Sequence, residues 1–491
     1  MSFLLLFVNW NMLICSFPLL LFWLFNISVV IISADKLVKH TNKGDTKNME
    51  AASQTKRYLS PFQCAAFGTG MSGVNFVSLM VVQWAMYFYA PPKGSGEVPL
   101  IPIALFSLAV VIGHVVDAAA NPVIGFLSDG TRTRWGRRIP YIALGSPILS
   151  LVFILLWFPP AAGTSVTNFY YFTVMLSLFF LMYAVVGCPY AALLPDIART
   201  SQERMGLAMY GMIFGTFGVV TVMVGSGPLI QKFGYKPTAF LTGCLSLLCF
   251  AIVAAFIRER PDARLLDAPK LPFINALRIM ASNRPFLIYL IACSFLKMAF
   301  NIFFSTLPYF ITVLMGGTKG EVWKYMLGHG AFTGIAFIFV QSVAKRLGKE
   351  RVFRICLLII SAVMPATVLI GRINHILPAA YTGFIVFSLL GIPFVADYVL
   401  RPAIFGDIID YDQKKSGIRR EAIYTGFQGM FDKMSISLTF VVIGILFNKF
   451  GFSAARPLGI QLIGPAASFF TLIGFFIFLK YPLAEKQGAK E

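Results

Sequence analysis

Long apolar runs alternate with short polar breaks along most of this chain. A helix needs roughly 20 predominantly apolar residues to cross a bilayer, and the runs have that length. The predicted spans lie near 62–89, 98–127, 139–159, 166–194, 206–227 and 236–257, and then near 285–313, 324–343, 351–371, 376–400, 422–448 and 457–480. Because a polar stretch separates the two sets, the pattern predicts an all-α membrane protein with twelve transmembrane helices in two six-helix halves.

The same pattern divides the chain into five parts. They are a hydrophobic segment with a basic polar lead-in (1–57), the N-terminal half (58–257), a cytoplasmic linker (258–284), the C-terminal half (285–480) and a cytoplasmic tail (481–491). Residues 3–32 form a further apolar run that is not part of the twelve predicted helices. Either this run is an additional span or uncleaved signal-like segment, or the start codon has been assigned too early. We favour the second, with the working protein beginning at Met49.

Composition and charge agree with a membrane location. Hydrophobic residues make up 57% of the chain and charged residues 13%, which is more apolar than a soluble core requires. The basic residues are concentrated in alternate loops: 22 Lys and Arg lie in 128–138, 195–205, 258–284, 344–354 and 401–421, against 8 in the opposite set. Basic loops are retained in the cytoplasm, so the first set is predicted to be cytoplasmic. Because the formal charge of +20 is spread over short loops, it fits anionic lipid headgroups and argues against nucleic-acid binding.

Motifs for cofactors and catalysis are weak. The seven cysteines lie in or beside apolar spans without CxxC spacing, so the sequence predicts neither a metal site nor a disulfide framework. GTGMSG at 68–73 fits G-x-G-x-x-G, but no strand precedes it, and its apolar helical setting favours helix packing over dinucleotide binding. With no Walker A pattern and no nucleophile–base set, the sequence predicts neither an enzyme nor a cofactor.

Ionisable residues inside the spans are the most informative positions. A charge in hydrocarbon costs roughly 2.5 kcal/mol or more, so such a residue must face protein or water. In the second span His114, Asp117 and Asn121 fall at i, i+3 and i+7, which places them on one helical face that is predicted to look inward. Asp117 is predicted to be an ion or proton site, or a member of a gating pair.

Two later spans carry complementary polar residues. In the eleventh span Asp432 and Lys433 are adjacent, so their side chains point about 100° apart and cannot both face one partner. Lys433 is predicted to be the positive partner of Asp117. In the seventh span Lys297 and Asn301, at i and i+4, form another polar stripe.

Two stretches resemble a known transporter family. DAAANPVIGFLSDGTRTRWGRRIPYI, which begins at Asp117, is similar to the signature of the glycoside-pentoside-hexuronide:cation symporters, the melibiose-carrier-like branch of the major facilitator superfamily. GDIIDYDQKKSGIRREAIYTGFQGMFDK (406–433) looks like that family's loop before span eleven. The resemblance covers roughly residues 58–480. It implies a major facilitator fold that alternates access and couples a sugar to Na+, Li+ or H+.

The resemblance assigns candidate roles residue by residue. Asp117 and Asn121 correspond to the family's two second-span acids, so half of that carboxylate pair is an amide here. Asn75 corresponds to the first-span acid that recognises sugar hydroxyls in the family. Gln428 and Lys433 match the family's Gln and Lys of span eleven.

Span four departs further from the family pattern. Tyr183 and Pro189 are kept, whereas Ala184 and Gly187 stand at the Thr and acid positions, and Ala191 stands at the aromatic platform. Loss of the sugar-binding acids leaves room for a larger or more hydrophobic solute. A lysolipid-like or other amphipathic substrate is therefore an alternative to a sugar or glycoside.

These departures bear on the coupling ion. Na+ selects several hard oxygen ligands, whereas this chain keeps one acid with an amide beside it. The sequence therefore predicts H+ rather than Na+ as the coupling cation. The predicted coupling residues are Asp117, Asn121, Asp432 and Lys433, and the predicted substrate-binding residues are Asn75, His114, Tyr183, Lys297, Asn301 and Gln428.

The loop after span two supplies a predicted cytoplasmic gate. Asp129, Arg134, Arg137 and Arg138 are expected to hold the cytoplasmic helix ends together in the outward-facing state. The protein is expected to be a monomer in the plasma membrane or bacterial inner membrane, with a small-molecule substrate, a coupling cation and the lipid bilayer as partners. A passive facilitator and a non-transporting receptor on the same fold are the alternatives.

Overall fold

The computed structural model describes residues 59–198, 200–259, 282–416 and 421–481. Eleven helices in these ranges are long and apolar enough to cross a membrane, and Ile139–Leu155 is a shorter apolar helix. Within the same ranges the regular structure is helical, apart from two isolated β-bridges in loops. The predicted all-α membrane fold is confirmed.

Six helices form the N-terminal half: α1 Pro61–Tyr89, α2 Ile103–Gly130, α3 Ile139–Leu155, α4 Val166–Ile197, α5 Ser201–Phe233 and α6 Tyr235–Phe256. Local sequence signals set several of their ends. Ser60 with Gln63, and Thr200 with Glu203, form capping boxes that satisfy N–H groups of the first turns of α1 and α5. Gly234, with φ at 84°, separates α5 from α6 in a conformation that glycine adopts without steric cost.

Six further helices form the C-terminal half: α7 Arg284–Tyr309, α8 Val322–Leu347, α9 Lys349–Val363, α10, α11 Glu421–Phe450 and α12. Helix α10 consists of Ala379–Leu389, Gly391–Val395, the π-helical turn Ala396–Leu400 and Arg401–Ser416, and α12 consists of Leu458–Gln461 and Ile463–Phe478. A π-helical turn inserts an extra residue and so rotates the side chains that follow it. In α10 this turn comes directly before Arg401.

The two halves repeat one packing pattern. Helix α1 packs against α5 and α6, α2 against α4, and α3 against α4 and α6. Each pair recurs six helices later: α7 packs against α11 and α12, α8 against α10, and α9 against α10 and α12. The predicted pair of six-helix halves is thus confirmed.

The halves meet along α2 with α11, α5 with α8, and α1 with α7. On the predicted extracellular side, Lys319 forms an ion pair with Glu97. The Tyr309 hydroxyl donates to the carbonyl of Ala90 at 2.8 Å. These contacts close the predicted extracellular ends of the two halves against each other.

Several predicted boundaries need correction. The tenth span was expected to end at residue 400, but its helix continues to Ser416 because the charged residues after it extend the helix instead of forming a loop. Helix α3 ends at Leu155, four residues before the predicted end at 159. The segment 1–57, most of the linker and most of the tail lie outside the described residues, so those predicted boundaries stay predictions.

Candidate functional site

A buried ion pair joins the two halves near the middle of α2 and α11. Lys433 Nζ donates to Asp117 Oδ1 at 2.6 Å. The Asp117 side chain is 4% exposed, and that of Lys433 is 21% exposed. The contact predicted from sequence is present, and it places this acid at the interface between the halves.

Small residues allow α2 and α11 to approach closely beside this pair. The Ser107 hydroxyl donates to the carbonyl of Phe440 at 2.8 Å. A Cβ added to Gly444 would lie 2.2 Å from Ser107 Oγ, so no larger residue fits there without movement. Because residue 107 meets 440 and Asp117 meets Lys433, the helices run antiparallel, and this close packing fixes the register of the ion pair.

Asn121 supports the carboxylate from one turn further along α2. Its Nδ2 donates to Asp117 Oδ1 at 2.9 Å and to the Asp117 carbonyl at 2.6 Å. Its Oδ1 accepts a hydrogen bond from the thiol of Cys188 on α4. Both contacts to the acid are therefore made by N–H donors, one from Lys433 and one from this amide.

Two further predicted residues surround the pair. His114 Nδ1 lies 2.9 Å from the carbonyl one turn earlier in α2, and its ring packs on Phe180 with 4.4 Å between ring centroids. Because Nδ1 faces a carbonyl, it carries the proton in the neutral ring. Tyr183 of α4 interacts with Ser78 of α1 and lies within electrostatic range of Asp117.

A second cluster of four charges lies inside the C-terminal half. Lys297 of α7 donates to Asp397 of α10 at 3.0 Å. Arg401 donates to Asp397 at 2.8 Å and to Asp432 of α11 at 2.6 Å. Two cations and two carboxylates balance, which is the condition under which buried charges are tolerated.

Asp432, one of the predicted coupling residues, pairs with Arg401. Both of its oxygens lie 2.6 Å from Arg401 Nη2. Its neighbour Lys433 turns instead to α2. The expectation that adjacent residues of α11 face different partners is confirmed, and the coupling role of Asp432 stays a prediction.

Gln428 also belongs to this cluster. With its amide oxygen turned toward the guanidinium, it accepts from Arg401 Nη2 at 2.9 Å and from Nε at 3.2 Å. The Tyr289 hydroxyl donates to the Arg401 carbonyl at 3.1 Å. Arg401 is thus bound on every side, and the predicted substrate contact of Gln428 stays a prediction.

Asp397 and Arg401 were not among the residues predicted from the sequence. Asp397 was passed over although it lies inside the predicted tenth span, 376–400, and Arg401 was counted as a loop cation because that span ended at residue 400. The available signal was their i, i+4 spacing, which suits an ion pair on one continuous helix. The π-helical turn Ala396–Leu400 was not foreseeable from the residue types. It places both side chains toward α7 and α11.

The two predicted asparagines outside the ion pairs differ in their contacts. Asn75 Nδ2 donates to the carbonyl of Gly215 at 2.9 Å, so it ties α1 to α5. Asn301 is 7% exposed, and its Nδ2 has no hydrogen-bond partner in the described part of the chain. A buried amide without a partner costs free energy, which makes Asn301 a candidate donor for a ligand.

The predicted gate charges lie within the N-terminal half. Arg137 and Arg138 both bind Asp196 at the end of α4, and the Asp196 carboxylate raises the pKa of the Arg137 guanidinium. Arg138 also lies 3.3 Å from Asp129, whereas Arg134 is exposed.

The segment after α6 also holds the loop after α2. Glu259 accepts hydrogen bonds from the backbone N–H groups of Arg137, Arg138 and Ile139 at 2.7–2.8 Å. In this conformation the described contacts anchor the loop to α4 and to the segment after α6. Its role as a gate in the outward-facing state stays a prediction.

A family model described as MFS/sugar transport protein matches residues 66–483 of the chain. The match covers both six-helix halves and every charged residue of the two clusters.

Individual proteins resemble the chain over most of its length. An isoprimeverose transporter of Lactiplantibacillus pentosus is 24% identical over 428 residues, which cover 85% of this chain and 84% of that protein. The sodium-dependent lysophosphatidylcholine symporter 1 of Xenopus tropicalis is 22% identical over 440 residues, with 80% and 82% covered. The crystal structure of a bacterial homolog of the human lysosomal transporter Spinster, inward-facing and unoccupied, has a TM-score of 0.63 at 14% identity, covering 87% of this chain and 97% of that chain. The structural likeness shows the shared fold.

Proposed function

The chain belongs to the MFS/sugar transport protein family, as a multi-pass membrane protein of the glycoside-pentoside-hexuronide symporter type, and on that premise we propose that it is a proton-coupled symporter. Its solute is a sugar, glycoside or related organic molecule. The observation that carries the proposal is the buried Asp117–Lys433 pair, which joins the two halves across the central cleft. A relative named isoprimeverose transporter supports the sugar class of solute.

The position of the ion pair suits a coupling element. Alternating access moves one half against the other, and the two partners belong to different halves. A buried carboxylate needs its cation, so separation of Lys433 from Asp117 favours proton uptake by the acid. The groups that surround the acid are His114 on its own helix, Tyr183 and Cys188 on α4, and Lys433 on α11.

The donors around Asp117 support a proton over Na+. A sodium site needs several oxygen ligands, but Lys433 and Asn121 direct N–H groups at the carboxylate. Ala184 and Gly187 bring no side-chain oxygen from α4. The acid is therefore arranged to exchange a proton rather than to hold a metal cation.

An amphipathic solute is the second candidate. A Cβ added to Gly187 would meet nothing within 4 Å, so open space lies where the family has an acid. A relative named lysophosphatidylcholine symporter supports this alternative. The two candidates differ in solute but share the same central cleft.

Purified protein in liposomes tests the proposal. Uptake of a panel of glycosides, uronides and lysolipids is measured under a pH gradient alone and under a Na+ gradient alone. Accumulation above equilibrium with the pH gradient is expected for the transported class. Exchange without accumulation under either gradient would instead identify a passive facilitator, and accumulation driven only by Na+ would contradict proton coupling.

A further inference from the structure

We propose that Cys188 of α4 is a positioning residue for the proton site, because its thiol holds the Asn121 amide in the orientation that donates to Asp117. The inference rests on the proposed proton coupling and adds a residue that sets how readily the acid takes up its proton. The Cys188 thiol donates to Asn121 Oδ1, and Asn121 Nδ2 donates to Asp117 Oδ1 at 2.9 Å. Hydrogen bonds thus connect α4 to the acid through one amide.

Small residues bring α2 and α4 close enough for the thiol to reach the amide. Ala120 of α2 and Ala184 of α4 are buried in one apolar cluster, and Cys188 packs against it. A Cβ added to Gly187 would meet nothing within 4 Å, so the neighbouring position opens to free space. Cys188 itself is half-buried. The thiol therefore lies at the contact of the two helices and remains partly accessible.

The register of the two helices is fixed independently of this hydrogen bond. A Cβ added to Gly113 of α2 would lie 3.0 Å from the Phe180 ring of α4, so a larger residue there would push against the ring. Cys188 follows Phe180 by eight residues on α4. The same interval separates Gly113 from Asn121 on α2, and the helices run parallel. The close contact about two turns away therefore holds the thiol level with the amide.

The hydrogen bonds define the orientation of the amide. An asparagine side chain has one oxygen that accepts and one NH2 group that donates. Asn121 Nδ2 lies beside two acceptors, the Asp117 carbonyl at 2.6 Å and Asp117 Oδ1 at 2.9 Å. In the described part of the chain, the donor to Asn121 Oδ1 is the Cys188 thiol. Without that donor, the amide is free to keep its bond to the carbonyl while it turns away from the carboxylate.

This orientation affects the proton affinity of Asp117. A hydrogen bond donated to a carboxylate stabilises its charged form, so the acid releases its proton more readily. A donor to the amide oxygen also polarises the amide and strengthens its N–H bond to the acid. The other groups that face the acid are His114 on α2, Tyr183 on α4 and Lys433 on α11. None of these three hydrogen-bonds to Asn121 among the described residues, so Cys188 acts on this donor separately from the ion pair.

The pH dependence of Asp117 protonation tests this role. A hydrophobic carbodiimide reacts with a buried carboxyl group in its protonated form, and mass spectrometry locates the adduct on Asp117. The purified protein is labelled in detergent over a series of pH values, with Asp117→Asn as the blank. Cys188→Ala should raise the pH of half-maximal labelling by about 0.5–1 unit, because the charged acid loses part of a hydrogen bond. Cys188→Ser keeps a donor and should stay within about 0.3 unit of the parent.

A double variant shows whether Cys188 acts through Asn121. In an Asn121→Leu background, Cys188→Ala should cause no further shift, because the amide between the thiol and the acid is absent. Cys249→Ala is the matched control, since it removes another half-buried thiol, on α6, and should leave the labelling of Asp117 unchanged. An equal shift with and without Asn121 would assign the effect to packing and contradict the proposal.

Reversible capping of the thiol gives a second measurement in the folded parent, in case Cys188→Ala fails to fold. Methyl methanethiosulfonate converts an accessible thiol to a mixed disulfide that has no S–H donor, and dithiothreitol restores the thiol. The treated parent should show the same upward shift, which dithiothreitol should reverse. Cys188→Ser should not respond, although its other cysteines react as in the parent.

The same pH of half-maximal labelling in the parent, in Cys188→Ala and in the capped protein would overturn the positioning role. Solute accumulation by the parent under a pH gradient would then leave the symport proposal standing. The opposite combination is a shift that needs both Cys188 and Asn121, in a protein that accumulates no solute under a pH gradient. That result would support the positioning role and contradict symport.

Discussion

At the scale of single residues, the central cleft is organised by cations that each hold a buried acid. Asp117 receives N–H donors from Lys433 and Asn121, and Asp397 receives them from Lys297 and Arg401. A buried pair contributes little net stability, but removal of one partner is costly because the other charge is left uncompensated. Substitution of Lys433 alone should therefore cost more stability than loss of the whole pair.

Lys433→Ala should have two measurable effects. Loss of the cation leaves Asp117 buried without compensation and should lower the free energy of unfolding by about 3–5 kcal/mol at neutral pH. Proton uptake by the acid relieves this penalty, so the pH optimum of counterflow should move upward. The double variant Asp117→Asn/Lys433→Ala should recover most of the lost stability. If the double variant is as unstable as Lys433→Ala, the effect comes from packing and not from the unpaired charge.

At the scale of elements, the number of helices could be predicted from the sequence, but the direction of the charged side chains in α10 could not. The lengths of the apolar runs and the charges of the loops predicted twelve helices. These signals are averaged over some 20 residues, so they do not depend on how the helices pack. The face on which Asp397 and Arg401 lie depends on the π-helical turn Ala396–Leu400, a local backbone choice without a residue signature. The pair Asp117–Lys433 was predictable because Asp117 is the only acid of the predicted second span, 98–127, and a buried acid needs an opposite charge.

Other contacts of the site could not be predicted from the sequence for a related reason. Adjacent residues on a helix point in different directions, so the residue types alone did not show that Asp432 pairs with Arg401 of α10. Glu259 binds three backbone N–H groups of the loop after α2, and its partners are more than a hundred residues away in the chain. Both features depend on the packing of the helices.

The second prediction concerns the anchor of α10. Arg401→Leu removes the cation between Asp397 and Asp432, and the remaining Lys297 cannot balance both acids. The free energy of unfolding should fall by about 3–5 kcal/mol, as measured by denaturation in detergent. Arg351→Leu is the matched control, because residue 351 is exposed on α9. Equal losses in the two variants would contradict a special role for the buried arginine.

At the scale of the whole molecule, the described contacts close one end of the cleft. The Lys319–Glu97 pair and the Tyr309 bond to Ala90 join the halves on the predicted extracellular side. The side chains of Lys297 and Lys433 at the centre are partly exposed. The loop charges Arg137 and Arg138 are bound within their own half in this state. The equilibrium between this state and an outward-open state shifts when a contact that exists in only one of them is removed.

The third prediction tests this closure. Glu97→Gln removes the ion pair with Lys319, whose side chains are 26% and 20% exposed, and a contact of that kind is worth up to about 1 kcal/mol. The outward-open population should rise by up to about fivefold. The measurement is the rate at which a membrane-impermeant thiol reagent, added from the extracellular side, alkylates a single cysteine introduced at the interface between the halves, in a variant without the native cysteines. The charge-reversed pair Glu97→Lys/Lys319→Glu should restore the original rate, whereas an unchanged rate in Glu97→Gln would show that the pair does not bias the states.

The most direct test of the account compares accumulation with counterflow in Asp117→Asn. The neutral amide resembles the protonated acid, so the variant should still exchange solute across the membrane of liposomes. It should lose all accumulation driven by a pH gradient, because no group remains at this position to carry the proton. Glu321→Gln is the control, because this acid pairs with the exposed Lys324 and has no proposed role in coupling, and it should keep accumulation. Undiminished pH-driven accumulation in Asp117→Asn, or strong Na+ stimulation of the parent that the variant loses, would contradict proton coupling through Asp117.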